Sequence, residues 1–568
     1  MAAALIAGLG GSLPVFSQTT ASSEEQASAL PSAIEGRGER PEIDLTRLPA
    51  AADTLPAGLE SLASPEHLAL PDQADQVRVV ELRPLTLDEV LLLAEVNSPQ
   101  LKSAESQVEQ AASALRAAIS SWYPTVDLSA NGLPQYFKSF TYRNPDFVPQ
   151  AARETGETNP LTGEPVQELV DGKPETYGRE WRADLSVRVA WNLIDPARVP
   201  QIAAARDTYE RSRASYAIAL RDLRLRTATA YFTLQEADEG VRIGQASVHA
   251  SLVSLRDARA RFNAGVNTKL EVLEAETQLA RDRNLLTGRL ANQSVARRSL
   301  AQILDLPQDV TPTAATPASP LGLWDSSLEE SILAAYDYRE ELDQLLLDIS
   351  IGNSRANASL AAIQPVISFV NNFSVFRNEG QTNINPRSDI DMDDYRWGKQ
   401  NTTSLTATWR LFDGGRAKAE YRRFKQSADQ SAVGFADARG RIRLEVEESF
   451  INLRTAIQNM ETTTSEVLSS RESLRLSQLR VQAGVSTQRE VVDNQRDLTN
   501  AELRYAQAIR EYNTSLAELR RRTGLDTLLS CSTKVLPAQK PEGAGTSVIP
   551  IEPTPLKAAC SAAAEEQQ

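Results

Sequence analysis

The chain has 568 residues, a net charge of −15, a pI near 5.0 and 41% apolar residues. The acidic balance excludes a nucleic-acid partner, because phosphate binding needs clustered Lys and Arg. No apolar run reaches the roughly 18 residues a membrane-spanning helix requires, so any entry into a membrane must be made by strands.

Residues 1–21 are apolar and rich in small residues, yet no Lys or Arg precedes Arg37. This reads as a signal-like segment, truncated or atypical, since the charged start of a secretory signal is missing. Residues 22–83 are rich in Pro, Ala, Ser and acidic groups without period, which predicts a disordered linker.

From 84 the chain repeats itself. Thr86-Leu87-Asp88-Glu89 matches Ser327-Leu328-Glu329-Glu330, Trp191-Asn192-Leu193-Ile194-Asp195 matches Trp409-Arg410-Leu411-Phe412-Asp413, and Arg261–Glu274 matches Arg480–Asp493. Two repeats are therefore expected, 84–305 and 326–527, separated by a linker at 306–325 and followed by a disordered tail at 528–568. Each reads as helix, β-hairpin, long helix, helix.

Thr86 with Glu89, and Ser327 with Glu330, form capping boxes that open helices of about 37 residues, running to just before Pro124 and Pro365. The period then becomes two. Trp181, Ala183, Leu185, Val187, Val189, Trp191 and Leu193 alternate with polar residues, as do Leu405, Ala407, Trp409 and Leu411; Ile367, Phe369, Phe373 and Val375 supply a partner strand. The connections, about Arg143–Glu180 and Arg377–Gln400, are polar and predict exposed loops.

Asp195-Pro196 and Asp413-Gly414 are expected to start helices of about 67 residues with Asp as N-cap, each about 100 Å long at 1.5 Å per residue. Leu220, Thr227, Leu234, Val241, Val248, Leu255 and Phe262 recur every seven residues, as do Val446, Leu453, Met460, Val467, Leu474 and Val481. That is a coiled-coil seam. Three positions after the first set lie Leu223, Ala230, Ala237, Gly244, Ser251 and Ala258, mostly small residues that permit close helix approach. Gly265 and Gly484 stop the long helices, and Thr268 with Glu271, or Thr487 with Glu490, predicts a further capping box opening the return helix. Two helices of about 37 residues end to end match one of about 67.

Four amphipathic strands are too few to close a barrel, whereas three chains would supply twelve. Trp181, Trp191 and Trp409 suit a lipid-facing aromatic girdle. The chain resembles the outer-membrane efflux proteins, the TolC-like channels of tripartite pumps and type I secretion. The resemblance covers about 84–527, with RFNAGVNTKLEVLEAE and RVQAGVSTQREVVDNQ its most specific parts. It implies a mainly α fold with β, as a homotrimer: a twelve-stranded transmembrane β-barrel, four strands per chain, continuous with a long periplasmic α-helical barrel. It also implies an outer-membrane location, no enzymatic activity and no cofactor. Substrates, small molecules or type I secreted proteins, would come from an inner-membrane transporter through a periplasmic adaptor. Adaptor contact is implied for Ala264, Gly265, Val266, Ala483, Gly484 and Val485.

The resemblance places Glu490 and Asp493 at an acidic pore entrance, and Glu271 and Glu274 are the matching pair at the first tip. Each pair shares one helical face at a spacing of three. A Tyr and an Arg that serve the family as gating residues near the second tip are replaced here by Val481 and Ser486, which leaves Arg489 as a candidate substitute. Asp389, Asp391, Asp393 and Asp394 do not follow the EF-hand pattern and read as a solvated acidic loop. His67 and His249 lack metal-ligand spacing with Cys531 and Cys560, so no metal is expected. The two cysteines could pair only in an oxidising compartment. The alternative class is a periplasmic adaptor or structural coiled coil without a barrel; two hairpins of strict period-two strands weigh against it.

Overall fold

The computed structural model describes residues 48–525 except 67, 74–75, 80, 143–150, 171–174, 267 and 383–391. The signal-like segment, the tail with Cys531 and Cys560, His67, Asp389 and Asp391 lie outside the described residues. The elements run β1 (Glu81–Leu85), α1 (Leu87–Asn97), α2 (Pro99–Ile119), β2 (Thr125–Tyr142), β3 (Ala151–Thr158), β4 (Pro165–Val170), β5 (Glu175–Ile194), α3 (Arg198–Asn263), α4 (Lys269–Ile303), β6 (Val310–Ala314), α5 (Leu328–Tyr338), α6 (Glu340–Ala361), β7 (Val366–Thr382), β8 (Met392–Thr408), α7 (Arg416–Gln482) and α8 (Gln488–Thr523).

Strands β2, β5, β7 and β8 form one antiparallel sheet in that order. Each has 17 to 20 residues, long enough to rise well clear of the helices. β3 and β4 pair with each other, so the first connection holds a short hairpin where an irregular loop was expected.

α3 and α7 have 66 and 67 residues, and α4 and α8 have 35 and 36. Of the two heptad sets every member except Val248, which is half-buried, and Phe262, exposed at the tip, is buried. Removing each large apolar side chain from water contributes roughly 1.5–3 kcal/mol, and the seam repeats that gain along the whole helix. Gly244 lets α4 approach: a Cβ there would sit 3.3 Å from the Leu286 Cα.

The helices expected to run unbroken to Pro124 and Pro365 are each divided. Ser98 interrupts the first and caps α2 through Leu101 N–H, with Pro99 in the first turn; proline tolerates that position because its missing N–H would be unpaired anyway. Arg339 interrupts the second with extended backbone and no proline nearby. Both capping boxes form: Thr86 N–H donates to Glu89 Oε2 at 2.8 Å and Ser327 N–H to Glu330 Oε2 at 2.9 Å. The long helices start later than their aspartates. Asp195 instead accepts from Ala197 N–H at 3.0 Å, and Asp413 from Gly415 and Ala417 N–H at 2.9 and 2.7 Å, holding the turns that precede Arg198 and Arg416. The Ala417 and Gly415 N–H bonds also hold the Asp413 carboxyl below its ordinary pKa.

Two segments expected to lack structure are packed. Within 22–83, Leu59 and Leu62 are buried in the core formed by α1 to α4, and β1 pairs in parallel with β6, inside the expected 306–325 linker. That linker is clamped further on: Gln235 donates to Thr316 O at 3.0 Å, and Asn513 receives Leu321 N–H at 3.0 Å while donating to Ser319 O at 2.8 Å.

Beside the second break lies a buried ionic network. Arg221 meets Glu340 at 2.8 Å and the Gly524 carbonyl at 3.1 Å. Arg521 meets Asp222 at 2.6 Å and Glu341 at 2.8 Å, while Arg339 binds both Glu341 and Glu445, and Arg522 closes on Glu445 at 2.8 Å. Burial would raise the Glu341 carboxyl, but the Arg339 hydrogen bond and the charges of Arg521 and Arg339 outweigh it and hold it at about 2. Glu445 is lowered too: burial opposes the shift, and Arg339 and Arg522 outweigh it.

Candidate functional site

The two helical tips share one backbone solution. Val266 N–H donates to Arg261 O at 3.0 Å and Gly265 N–H to Phe262 O at 2.9 Å; Val485 to Arg480 and Gly484 to Val481 repeat the pattern at 2.9 and 3.1 Å. This double bond pattern needs a left-handed residue after the helix end, and Gly265 and Gly484 have φ of 74° and 75°. Ala264, Gly265, Val266, Ala483, Gly484 and Val485 are all exposed, with the valines 75% and 67% accessible.

The return helices start at the expected place without the expected capping boxes: neither Thr268 nor Thr487 makes a side-chain cap bond. At the second tip the reason is competition. Glu490 accepts from Ser486 Oγ and pairs with Arg480 at 2.7 Å, which draws its carboxylate away from the cap. Asp493 lies between Arg489 at 3.9 Å and Arg496 at 3.5 Å. Three guanidinium groups thus face two carboxylates, all on one chain. The first tip differs: Glu271 and Glu274 are half-buried on α4, Glu274 forms no ion pair among the described residues, and a neighbouring pair joins Arg259 to Glu276.

Sequence reasoning grouped Glu490, Asp493 and Arg489 at the second tip but missed Arg480 and Arg496, which pair with these carboxylates. Arg480 could have been found, since the residue that gives its carbonyl to the tip turn also stands across that turn from Glu490. The hairpins α3–α4 and α7–α8 meet through α3 and α8, where Gln488 donates to Ser254 Oγ at 2.6 Å and Thr499 meets Ser247 at 3.2 Å. A cavity of about 320 Å³ lies between them, lined by Ser254, Asp257, Arg261, Gln278, Gln482 and Gln488 among others.

The sheet carries the second candidate region. Along β7, Phe373, Val375, Arg377 and Glu379 are exposed while Asn372, Ser374, Phe376 and Asn378 are half-buried, which separates an outer face from an inner one. Cross-strand register puts Trp191, Phe369 and Leu405 together on the outer face, then Val187 with Phe373 and Leu185 with Val375. Asn371 interrupts it but donates to Asn401 and Thr403 at 2.8 and 2.7 Å, so its amide is satisfied within the sheet. The inner face carries Asp127 opposite Arg188 and Ser129 bonded to Ser186 at 2.8 Å.

Trp181 and Trp191 lie on the outer face ten residues apart. That is about 33 Å along a strand, or about 25 Å of height at the tilt of a membrane barrel. Trp191 donates its indole N–H to Trp122 O at 2.9 Å and Trp409 to Ile363 O at 3.0 Å, so both fix the helix-side end of the sheet to the segment following α2 or α6. No described helix is long and apolar enough to cross a membrane.

Residues 167–305 and 335–525 match the family model described as outer membrane efflux protein. The chain is 23% identical over 457 residues to the outer membrane protein TolC of Vibrio cholerae, covering 77% of this chain and 90% of that one. It is 28% identical over 128 residues to the protein CyaE of Bordetella pertussis, covering 22% of this chain and 27% of that one. Among solved structures, the open state of the MtrE outer membrane channel of Neisseria gonorrhoeae superposes with a TM-score of 0.55 at 16% identity, covering 86% of this chain and 98% of that one.

Proposed function

Since this chain belongs to the outer membrane efflux protein family, whose members are non-enzymatic channels of the outer membrane with a periplasmic helical barrel, we propose that three copies form one exit duct. The observation that carries the reading is the sheet itself. In one chain β2 and β8 are both edge strands, and an open sheet edge has no place in hydrocarbon, where each unpaired backbone group costs several kcal/mol. Pairing β8 of one copy with β2 of the next is head-to-tail and closes as a ring. Three copies give about twelve strands, within the range of outer-membrane barrels. Trp181, Trp191 and Trp409 then mark the lipid boundary.

The paired helices extend that ring into the periplasm, with the two tips of each copy at its far end. Glu271, Glu274, Glu490 and Asp493 line the entrance, and the exposed Ala264–Val266 and Ala483–Val485 turns meet a periplasmic adaptor, which couples the duct to an inner-membrane transporter. The substrates are small molecules or secreted proteins, selected by that transporter.

The reading is tested by the mass of the detergent-extracted protein, with detergent subtracted, followed by conductance in planar bilayers. Three chains of 62.1 kDa and a discrete conductance are expected. A soluble monomer or dimer would overturn the barrel and return the adaptor or coiled-coil reading.

A further inference from the structure

We propose that the outer rim of the sheet, at the strand ends remote from the helices, binds the phosphate groups of outer-leaflet lipid headgroups. The proposal rests on the barrel reading above, which sets the outer face against lipid. Its starting point is a pairing that the protein alone leaves unfavourable. Lys138 on β2 stands directly opposite Arg179 on β5, on the same face as Tyr136 opposite Trp181, whose rings lie 4.9 Å apart. Directly opposed residues have Cβ atoms about 5 Å apart, and like charges so placed destabilise the pair. Both side chains are exposed, and neither forms an ion pair with any described residue. An anion between them would turn repulsion into a bridge.

The surroundings name the anion's source. Trp181 marks the upper aromatic level, and Arg179 lies two residues beyond it, about 7 Å further along the strand, where headgroups replace hydrocarbon. On the same face Arg377 stacks over the Tyr395 ring at 5.2 Å. By register the acidic positions on this face are Glu175, opposite Tyr142, Glu379, diagonal to Arg179 but paired with Arg377 at 2.9 Å, and Asp393, opposite Gln381; none stands directly opposite Lys138 or Arg179. In a chain with a net charge of −15, a rim where Lys138 and Arg179 form no ion pair with any described residue fits an anionic neighbour. Arg offers two parallel N–H donors to phosphate and Lys a mobile charge, while Tyr136 and Trp181, on the hydrocarbon side of the pair, lie against the adjoining acyl chain.

The test compares lipid retained by the purified channel, measured by native mass spectrometry after equilibration with phosphatidylcholine alone or mixed with phosphatidylglycerol. Wild type is expected to hold phosphatidylglycerol preferentially, and Lys138→Gln with Arg179→Gln to hold about tenfold less, given the worth of basic residues near an anionic surface. Arg188→Gln, on the inner face, should leave retention unchanged. Equal retention by wild type and the double variant would overturn the proposal. So would thermal stabilisation of wild type by inorganic phosphate that matches that by phosphatidylglycerol, a comparison that needs no variant to fold. A protein that conducts in both bilayers without lipid preference overturns the headgroup site and leaves the duct standing; one that inserts into neither overturns both.

Discussion

The break between α1 and α2 and the break between α5 and α6 occupy matching places in the two halves, yet different forces hold them. In the first half, backbone and apolar groups do the work. Asn97 donates to Leu62 O at 2.8 Å and Leu304 O at 3.1 Å, Ser64 N–H returns to Asn97 Oδ1 at 3.1 Å, and Leu59 and Leu62 fill the space beside α1. The stretch before β1 supplies these groups. In the second half the end of α8 takes that place: Arg521 meets Glu341, Arg522 shares Glu445 with Arg339, and the Gly524 carbonyl accepts from Arg221, which also pairs with Glu340. The first kink is therefore held mainly by neutral hydrogen bonds, with the Arg224–Glu95 pair beside it, and the second by a charge network whose Glu341 and Glu445 carboxyls are lowered.

The largest expected effect breaks the charged side. Arg221→Met leaves Glu340, 2% accessible and with Oε2 lacking a hydrogen-bond partner, as a buried charge without its guanidinium. A cost of about 3–5 kcal/mol is expected in denaturant midpoints followed by helical circular dichroism. Arg224→Met, which strips Glu95 of a partner but leaves it the Ala52 N–H at 2.9 Å, should cost about 1 kcal/mol. Equal losses would erase the distinction between the halves.

Acid should sharpen the same contrast. The Glu341 carboxyl is held at about 2 against an ordinary 4.5, so its contribution is fully present above pH 4.5 and disappears as pH falls toward 2. At pH 7 Glu341→Gln should be less stable than wild type by up to about 3 kcal/mol, the gap closing through that window. A gap that stays constant down to pH 2 would remove Glu341 from the acid response. Arg339 and Arg521 are pushed upward, against the opposing effect of their burial, by Glu341 and their other carboxylate partners, and contribute no pH dependence near neutrality.

How far the sequence carried this reading depends on distance along the chain. Strands β5, β7 and β8, the heptad seam and the tip glycines rest on neighbours a few residues apart, so their period and turn chemistry were visible in the letters. The Ser98 break has a local signal, a serine before Pro99, but the apolar period that continues across it masks the signal. The Arg339 break has no local signal: it is held by Glu445, more than 100 residues away. The β1–β6 pairing, Glu81 opposite Val310, joins segments more remote still, and compositional polarity concealed Leu59 and Leu62. At the second tip the capping box was spelled correctly in Thr487 and Glu490, but Arg480 and Ser486 compete for the same carboxylate.

The caps of α4 and α8 differ in the residue that takes the left-handed position. α8 ends on Gly524 with φ 76°, its N–H donating to Arg520 O at 2.9 Å, while α4 is followed by Asp305 with φ 48°, where Leu306 N–H donates to Ala301 O at 3.2 Å. Gly524→Ala should cost about 2–3 kcal/mol, because the left-handed backbone is strained for alanine and its Cβ would lie 2.7 Å from that of Tyr338. Gly484→Ala and Gly265→Ala meet no atom within 4 Å and should cost about 1 kcal/mol each. Asp305→Gly runs the other way: releasing the left-handed strain is worth about 1–2 kcal/mol, offset by the greater freedom glycine gives the unfolded chain, for a net gain of about 0.5 kcal/mol. A loss on Asp305→Gly would mean that its carboxylate, and not merely its backbone, belongs to the cap.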